Sequence, residues 1–276
     1  LPSPLKSAFF LALFLISFNL SAQNGLMQIG ARPAAMGYAY ATEADQWSFF
    51  HNPGGLGQLE SEYAAFFALE NKYGIEGLNI MGAGIISPVP VGTVAFGAFR
   101  FGDDFYNEQS LSLAYGNQFG IASLGLKANL LQYNIEGFGT KSVLTLDFGG
   151  TATVTKELVF GAYIRNINQA KVESSGEERV PTILNAGISY RPLDKLRLNI
   201  ETEKAIEYDA SLRVGLEYLI LEKLAVRTGV STAPFTSYGG LGFTKGRLSV
   251  DYAITKNTSL GYSHQGAVSF RIKQEK

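Results

Sequence analysis

The chain contains two histidines, His51 and His264, and no cysteine. Around His264 stand Asp251, Ser263 and Ser269, the residue types of a nucleophilic triad. Acyl transfer needs the serine hydroxyl within hydrogen-bond reach of the imidazole, with an acidic group behind to orient it. In extended backbone successive side chains point to opposite faces, so His264 is held away from both serines. A histidine on the wall of a strand is the better account, and no enzymatic activity is expected. Gly239-Gly240-Leu241-Gly242 is not a phosphate loop, because no Lys-Ser or Lys-Thr follows and no strand gives way to a helix. These glycines suit a bend or a close backbone approach. Without cysteine there is no thiol catalysis, no disulfide and little scope for zinc, and the sequence implies neither cofactor nor metal.

Six charged residues point elsewhere. Asp147, Arg165, Arg213, Glu217, Arg227 and Asp251 all fall on the polar rows of segments that alternate apolar and polar residues. Charges of both signs facing one confined interior pair with each other, since an unpaired charge there is costly. They are expected to line a lumen and to hold an inserted segment by ion pairing. A path for a solute is the sharper alternative.

Such rows must be positioned by strands. Leu111, Leu113 and Tyr115 share one face while Ser110 and Ser112 share the other, and Leu124, Leu126, Ala128 and Leu130 oppose Ser123, Lys127 and Asn129. Similar runs continue to Ile272. Charged residues make up only 17% of the chain, against about 25% in an average soluble domain. The polar rows are mostly Ser, Asn, Gly and Thr, as in a barrel lumen, rather than the Lys- and Glu-rich outer face of a soluble sandwich. Tyr115, Tyr190 and Tyr218 close apolar rows where an interfacial aromatic girdle belongs. The expected fold is therefore all-β, a transmembrane antiparallel β-barrel with its apolar rows in lipid.

Residues 61–276 number 276 − 60 = 216. Fourteen strands would then have about 15 residues for each strand and connection, enough for spanning strands of about 9 to 11 residues. Twelve strands is the alternative, because 63–71, 78–87, 93–101 and 237–244 alternate least clearly. Short connections at 88–92, 118–120, 155–157 and 191–195 belong on the periplasmic side. Longer ones at 102–108, 135–141, 168–181 and 204–210 are expected outside. The longest carries Lys171, Glu173, Glu177, Glu178 and Arg179 and reads as a solvated loop.

Ahead of the strands, Lys6 precedes an apolar run over 7–18, and Leu20-Ser21-Ala22 supplies small residues, the layout of a secretory signal peptide cleaved near Ala22. The expected organisation is a signal peptide over 1–22, an N-terminal plug over 23–60 and the barrel over 61–276. Ala31, Ala34, Ala35, Met36, Ala39 and Ala41 are compatible with short helix, and Gly30, Gly37 and Asn52-Pro53-Gly54-Gly55 interrupt it with turns. A short helical plug in the lumen is expected. The net charge of −1 offers no field for nucleic acid.

The run Gly30, Ala31, Arg32, Met36, Gly37, Ala39, Ala41, Asp45, then Asn52-Pro53-Gly54-Gly55-Leu56, resembles the opening of FadL-like outer-membrane barrels. Within them it resembles the PorV and PorQ branch associated with type IX secretion. Tyr38 stands where a second glycine is usual, and Gly54 replaces the common alanine. Arg227, Gly229, the stretch 239–243, Asp251-Tyr252-Ala253, Leu260-Gly261, His264 and Ser269 follow in the family's order. The resemblance implies a bacterial outer-membrane protein, exported through the inner membrane, with Arg32, Met36, Gly37, Asp45, Asn52, Pro53, Gly54 and Gly55 as its plug motif. The PorV and PorQ type implies a partner-binding component of a protein export or surface-assembly complex, seated in outer-membrane lipid beside other outer-membrane or surface proteins. The FadL type implies uptake of a hydrophobic small-molecule ligand through a gap in the wall, which needs an apolar internal cavity. Because the inward rows read as small, polar and intermittently charged, partner binding is the expected function and uptake the alternative.

Overall fold

Alternating residues produce fourteen strands, β1 (Glu62–Asn71), β2 (Asn79–Pro88), β3 (Thr93–Gly102), β4 (Tyr106–Phe119), β5 (Ala122–Ile135), β6 (Gly139–Thr153) and β7 (Leu158–Arg165), followed by β8 (Ile183–Leu193), β9 (Leu196–Ala205), β10 (Ser211–Leu221), β11 (Leu224–Thr232), β12 (Phe235–Lys245), β13 (Leu248–Asn257) and β14 (Gly261–Lys273). The structure, a computed structural model, describes residues 27–60, 62–172, 179–206 and 209–273. Residues 1–22, expected to be a signal peptide, and Glu173, Glu177 and Glu178 lie outside the described residues.

Each strand pairs antiparallel with its neighbours in sequence, and β1 pairs with β14 from Glu62↔Lys273 to Asn71↔His264, which closes the barrel. Closure satisfies every edge, as a lipid-embedded sheet requires. The period of two sets the faces: Leu113 and Leu126 are 60% and 50% exposed, whereas their neighbours Ser112 and Lys127 are 2% and 3% exposed. Tyr115, Tyr190 and Tyr218 all point outward near the short-turn end. Among the described residues no helix is long and apolar enough to cross a membrane.

Strands β1 to β3 depart from the alternation for a physical reason. Most of their inward residues, Ala64, Phe66, Ala68, Ile80, Ile86, Ala95 and Phe99, are buried and apolar, with Glu70 and Thr93 as exceptions, while Phe67, Met81 and Phe96 point outward and are also apolar. Wall faced by apolar groups on both sides shows no polar row.

One seam is incomplete. β6 pairs with the eight-residue β7 only from Phe148↔Ile164 to Thr153↔Val159. Beyond that the loop finishes the ladder: Ile167 N donates to Leu146 O at 2.8 Å. The Asn168 amide accepts from Leu146 N at 2.9 Å and donates to Leu144 O at 2.9 Å.

Residues 27–59 form hydrogen bonds to β5, β6, β9, β10 and β14, so they lie within the lumen. Helix in this segment is limited to α1 (Ala31–Ala35) and two 3-10 helices, Gln46–Phe50 and Pro53–Gln58, joined by irregular backbone. Local chemistry starts both 3-10 helices. Asp45 caps the first through Trp47 N at 2.9 Å, and Asn52 caps the second through Gly54 N at 2.9 Å, with Pro53 as its first residue. The second lies against β4, β5 and β6, and α1 against β11 to β14. The wall gives up side chains where this backbone passes. A Cβ on Gly125, Gly161, Gly215 or Gly229 would overlap Pro53, Ala41, Met36 or Gly37 respectively.

Candidate functional site

Arg32, projecting from α1, is the centre of the charged side of the lumen. Its guanidinium is bidentate to Glu217 on β10, at 2.9 and 2.8 Å, and reaches Asp45 at 2.6 Å. Glu217 also accepts from Arg227 at 2.6 Å, and Arg227 continues to Asp251 at 2.7 Å. Glu43 accepts from Arg197 at 2.5 Å and from Asn199 at 3.0 Å, with Arg191 at 3.7 Å. The guanidiniums Arg32, Arg191, Arg197 and Arg227 thus face the carboxylates Glu43, Asp45, Glu217 and Asp251, and the formal charges cancel. Burial works against the charge on Arg32, but the surrounding carboxylates, Glu217 foremost, outweigh it and push its pKa well above the usual guanidinium value. Burial likewise tends to raise Glu43, and Arg197, Arg32 and Arg191 together pull it below the ordinary carboxylate range.

A second cluster sits nearer the long-loop end. Arg213 pairs with Glu203 at 2.5 Å, and Asn185 donates to Glu201 at 2.7 Å and to Glu203 at 3.1 Å. Glu201 accepts from Ala41 N at 2.6 Å, which anchors the inserted backbone. With its amide oriented to accept, Gln28 takes hydrogen bonds from Arg213 Nη1 at 3.0 Å and Arg165 Nη2 at 3.2 Å.

The opposite side is apolar. Trp47 and Phe66 stack edge to face at 5.2 Å, Phe49 and Phe50 at 4.9 Å, and Phe50 reaches Phe99 at 6.4 Å. Lys127 Nζ lies over the Phe49 ring at 4.8 Å. Beside these rings, at the long-loop end, is a cavity of about 60 Å³ lined on one side by Met27, Phe50, Phe99, Leu131 and Ile183 and on the other by polar groups that include Glu108, Lys127, Asp147 and Arg165. The inward rows, which spoke against an apolar internal cavity, are mostly apolar on β1 to β3, with Glu70 and Thr93 as buried polar exceptions, and mostly polar on the strands beyond. On the β1–β3 side the expectation is corrected.

The six lumen charges all point inward and are buried, but they pair differently from the expected set. Arg227 does join Glu217 and Asp251. Arg213 instead takes Glu203, and Asp147 accepts from Asn129 at 2.9 Å and from Asn166 N at 2.9 Å. Arg165 lies over the Tyr163 ring at 5.3 Å, its Nη1 buried without a hydrogen-bond partner. Of the motif residues, Arg32 and Asp45 enter the ion network, Asn52 and Pro53 start a 3-10 helix, Gly54 presses on the backbone of Gly150, and Gly55 on Glu43 O. Met36 and Gly37 pass Gly215 and Gly229. Glu43, Arg191 and Arg197 were missed as site residues. The arginines were visible on polar rows, whereas Glu43 gave no signal outside the inserted segment. His264 faces outward, its Nδ1 2.6 Å from the Tyr252 hydroxyl, while Ser263, Ser269 and Asp251 face inward. No triad can assemble from them. Among the described residues no cluster of His, Asp and Glu could hold a metal.

No family model matches the chain, and no curated protein sequence matches it. Among solved structures, the toluene transporter TodX of Pseudomonas putida has a TM-score of 0.64 at 11% identity, covering 91% of this chain and 100% of that one. A mutant of the TodX monoaromatic hydrocarbon channel gives 0.64 at 12% identity, with 91% and 100% covered. The Acinetobacter baumannii outer membrane protein Omp33 gives 0.52 at 9% identity, with 78% and 99% covered. At these identities the likeness is one of fold, and the fold is that of bacterial outer-membrane barrels.

Proposed function

We propose that this barrel is a FadL-like channel that takes up hydrophobic small molecules across the outer membrane, with residues 27–59 as its plug. The observation that carries the reading is the apolar side of the lumen, where the rings of Phe50 and Phe99 and the side chains of Met27, Leu131 and Ile183 line a cavity at the long-loop end. An apolar, aromatic wall can take the ligand's hydrocarbon part while the polar groups opposite, among them Glu108, Lys127, Asp147 and Arg165, fix its orientation. The likeness to a hydrocarbon channel agrees with it.

Passage requires motion. The cavity is about 60 Å³, whereas a benzene-sized ligand occupies a cavity of about 150 Å³. All neighbouring strands are paired, so no gap stands open in the wall. The place of least resistance is the β6–β7 seam, where Ile167 N and the Asn168 amide substitute for ladder hydrogen bonds. Asn166, Val180 and Pro181 of the same loop line the cavity, so displacing the loop would widen the cavity and unseal the wall together.

The test is uptake of labelled toluene by cells of a host lacking its own hydrophobic-solute channel. Wild-type protein should raise uptake above the empty vector, and Phe99→Arg, which replaces a ring of the cavity's apolar wall with a charge, should return it to that level. Wild-type uptake equal to the empty vector, with the barrel inserted, sinks the reading. Partner docking is the second reading, favoured by Phe105 and Phe138, 70% and 85% exposed on long-loop tips joined by Glu136 N to Phe105 O at 2.9 Å. A surface protein recovered stoichiometrically with the wild type, and lost from a Phe105→Ser, Phe138→Ser variant, would favour it.

A further inference from the structure

A separate cavity of about 150 Å³ opens at the long-loop end, between the inserted segment, β1 and the strands from β10 to β14. Three phenol rings, Tyr38, Tyr73 and Tyr238, line it, the first and last edge to face with centroids 6.0 Å apart. Glu70 also lines it and is 4% exposed. Its one hydrogen-bond candidate is Gln265 Nε2 at 3.5 Å, a long contact. Turned over, the Gln265 amide makes better bonds, to Gly30 O at 2.9 Å and from Gly30 N at 3.3 Å. In that arrangement the Glu70 carboxylate is buried with no hydrogen bond from a described residue. Burying a carboxylate in this way is costly unless something reaches it.

The surroundings narrow what that something is. Lys72 and Arg213 are the cations of the cavity, and Arg213 is already paired with Glu203 at 2.5 Å, so the cavity is close to neutral. An ammonium ligand would meet Lys72 and Arg213, an anion would meet Glu70, and a hydrocarbon would leave Glu70 unsatisfied. Ser231 and Thr236 donate to Pro234 O and keep lone pairs as acceptors, while Ser211 and Ser263 accept from Ala233 N and Tyr73 N and keep a proton to donate. Burial, then the nearby Glu70 charge, keeps the proton on the Tyr38 hydroxyl, so Tyr38 is available as a donor beside an acceptor. A rigid, uncharged ring with hydroxyls around its edge and C–H groups on its faces matches both halves of this lining.

We propose that the cavity formed by Tyr38, Tyr73, Tyr238 and Glu70 binds one uncharged saccharide ring presented from the long-loop side. The ring stacks on the phenols and gives hydroxyl protons to Glu70. This site is distinct from the apolar cavity and stands whether or not the barrel conducts hydrocarbons. The ring can come from a free sugar or from the glycan of a surface lipid.

The full chain, purified in detergent, is titrated calorimetrically with the methyl glycosides of glucose, galactose and mannose, and with the delipidated core oligosaccharide of lipopolysaccharide. At least one probe should bind saturably, and Glu70→Gln and Tyr73→Ala should each weaken it by about tenfold, the scale of one hydrogen bond to a charged group. Tyr73 is only partly buried, so its variant folds even if the Glu70 variant does not, as heat-dependent migration in SDS gels checks. Binding of a methyl glycoside assigns a free sugar, and binding of the core oligosaccharide alone assigns a lipid-borne glycan. The proposal is overturned by no saturable heat with any probe, by unchanged binding in the folded variants, or by tetramethylammonium saturating where sugars do not.

Discussion

On the β1–β4 side of the lumen, Trp47, Phe49 and Phe50 of the inserted segment meet Phe66 and Phe99 of the wall. On the β8–β13 side, Arg32, Glu43 and Asp45 of the same segment meet Glu217 and Arg197 of the wall, with Arg227 and Asp251 behind them. The first contact is non-directional and scales with area; the second is directional and depends on every partner being present. One segment is therefore held by packing along one edge and by charge pairing along the other. An apolar edge can yield to an apolar ligand and close again at modest cost, whereas opening the charged edge would separate buried ions. Motion that admits a hydrophobic solute is expected on the aromatic side, with the charged side as its fixed hinge.

The largest test removes the centre of the charged edge. Arg32→Met leaves Glu217, Asp45 and Glu43 with one buried negative charge in excess, and loss of one partner of a buried pair costs about 3–5 kcal/mol. Guanidinium unfolding of the folded barrel should show this loss, and protease should cut the inserted segment faster. A midpoint within error of the wild type would mean that packing alone holds the segment. On the other edge, Phe66→Ala removes a ring that touches Trp47, Phe49 and Phe50, and should cost about 3 kcal/mol through the cavity it leaves. Unlike the arginine variant, it should bind benzene-sized ligands better, read by recovery of the unfolding midpoint when toluene is added. If toluene rescues Arg32→Met equally, the two edges do not differ as described.

A smaller effect probes the close approach between the segment and the wall. A Cβ on Gly54 would lie about on top of the Gly149–Gly150 backbone, and overpacking of this kind costs about 1–3 kcal/mol. Gly266 in β14 has nothing within 4 Å of the corresponding position, so Gly266→Ala is the matched control and should leave the midpoint unchanged. Equal destabilisation by both would point to strand propensity rather than the inserted backbone.

The difference between the edges also decides what could be read from sequence. Arg165, Arg213, Glu217, Arg227 and Asp251 sit at odd positions among outward apolar residues, so the charged edge and the strands that carry it were visible as rows. Their partners were not, because Arg227 meets Asp251 across an intervening strand and Arg213 meets Glu203 rather than a residue of the expected set. On the aromatic edge the rows disappear: Phe66 points in and Phe67 points out, and both are apolar because one meets rings and the other faces outward. That loss of period is why 63–71, 78–87 and 93–101 alternate least clearly, although β1 to β3 lie there. Tyr38 comes from the inserted segment, Glu70 and Tyr73 from the end of β1 and the loop after it, and Tyr238 from β12, so only the closed fold brings them together.

His51 lies between the two edges and supplies the smallest test, one of pH. Its Nε2 donates to Ile29 O at 3.2 Å, its Nδ1 is buried with no partner, and the rings of Tyr40 and Tyr38 stand 5.2 and 6.0 Å away. Burial first, then the charges of Arg165, Arg213 and Lys127, hold its pKa well below the ordinary histidine value. The folded protein therefore keeps His51 neutral at a pH where the unfolded chain takes up a proton, near 6.5. Below about that pH the unfolded state binds more protons, so stability falls as pH falls, by up to about 1.4 kcal/mol per unit for this one group, and is fully present above it. Between pH 7 and 5.5 the pairing of Glu43, whose pKa lies below the carboxylate range, stays intact and does not contribute. Guanidinium midpoints should thus decline over that interval in the wild type and stay level in His51→Gln, whose amide can still donate to Ile29 O. A parallel decline in both proteins would show that the segment is loosened by some other group, and that the junction between the aromatic and charged edges is open to water.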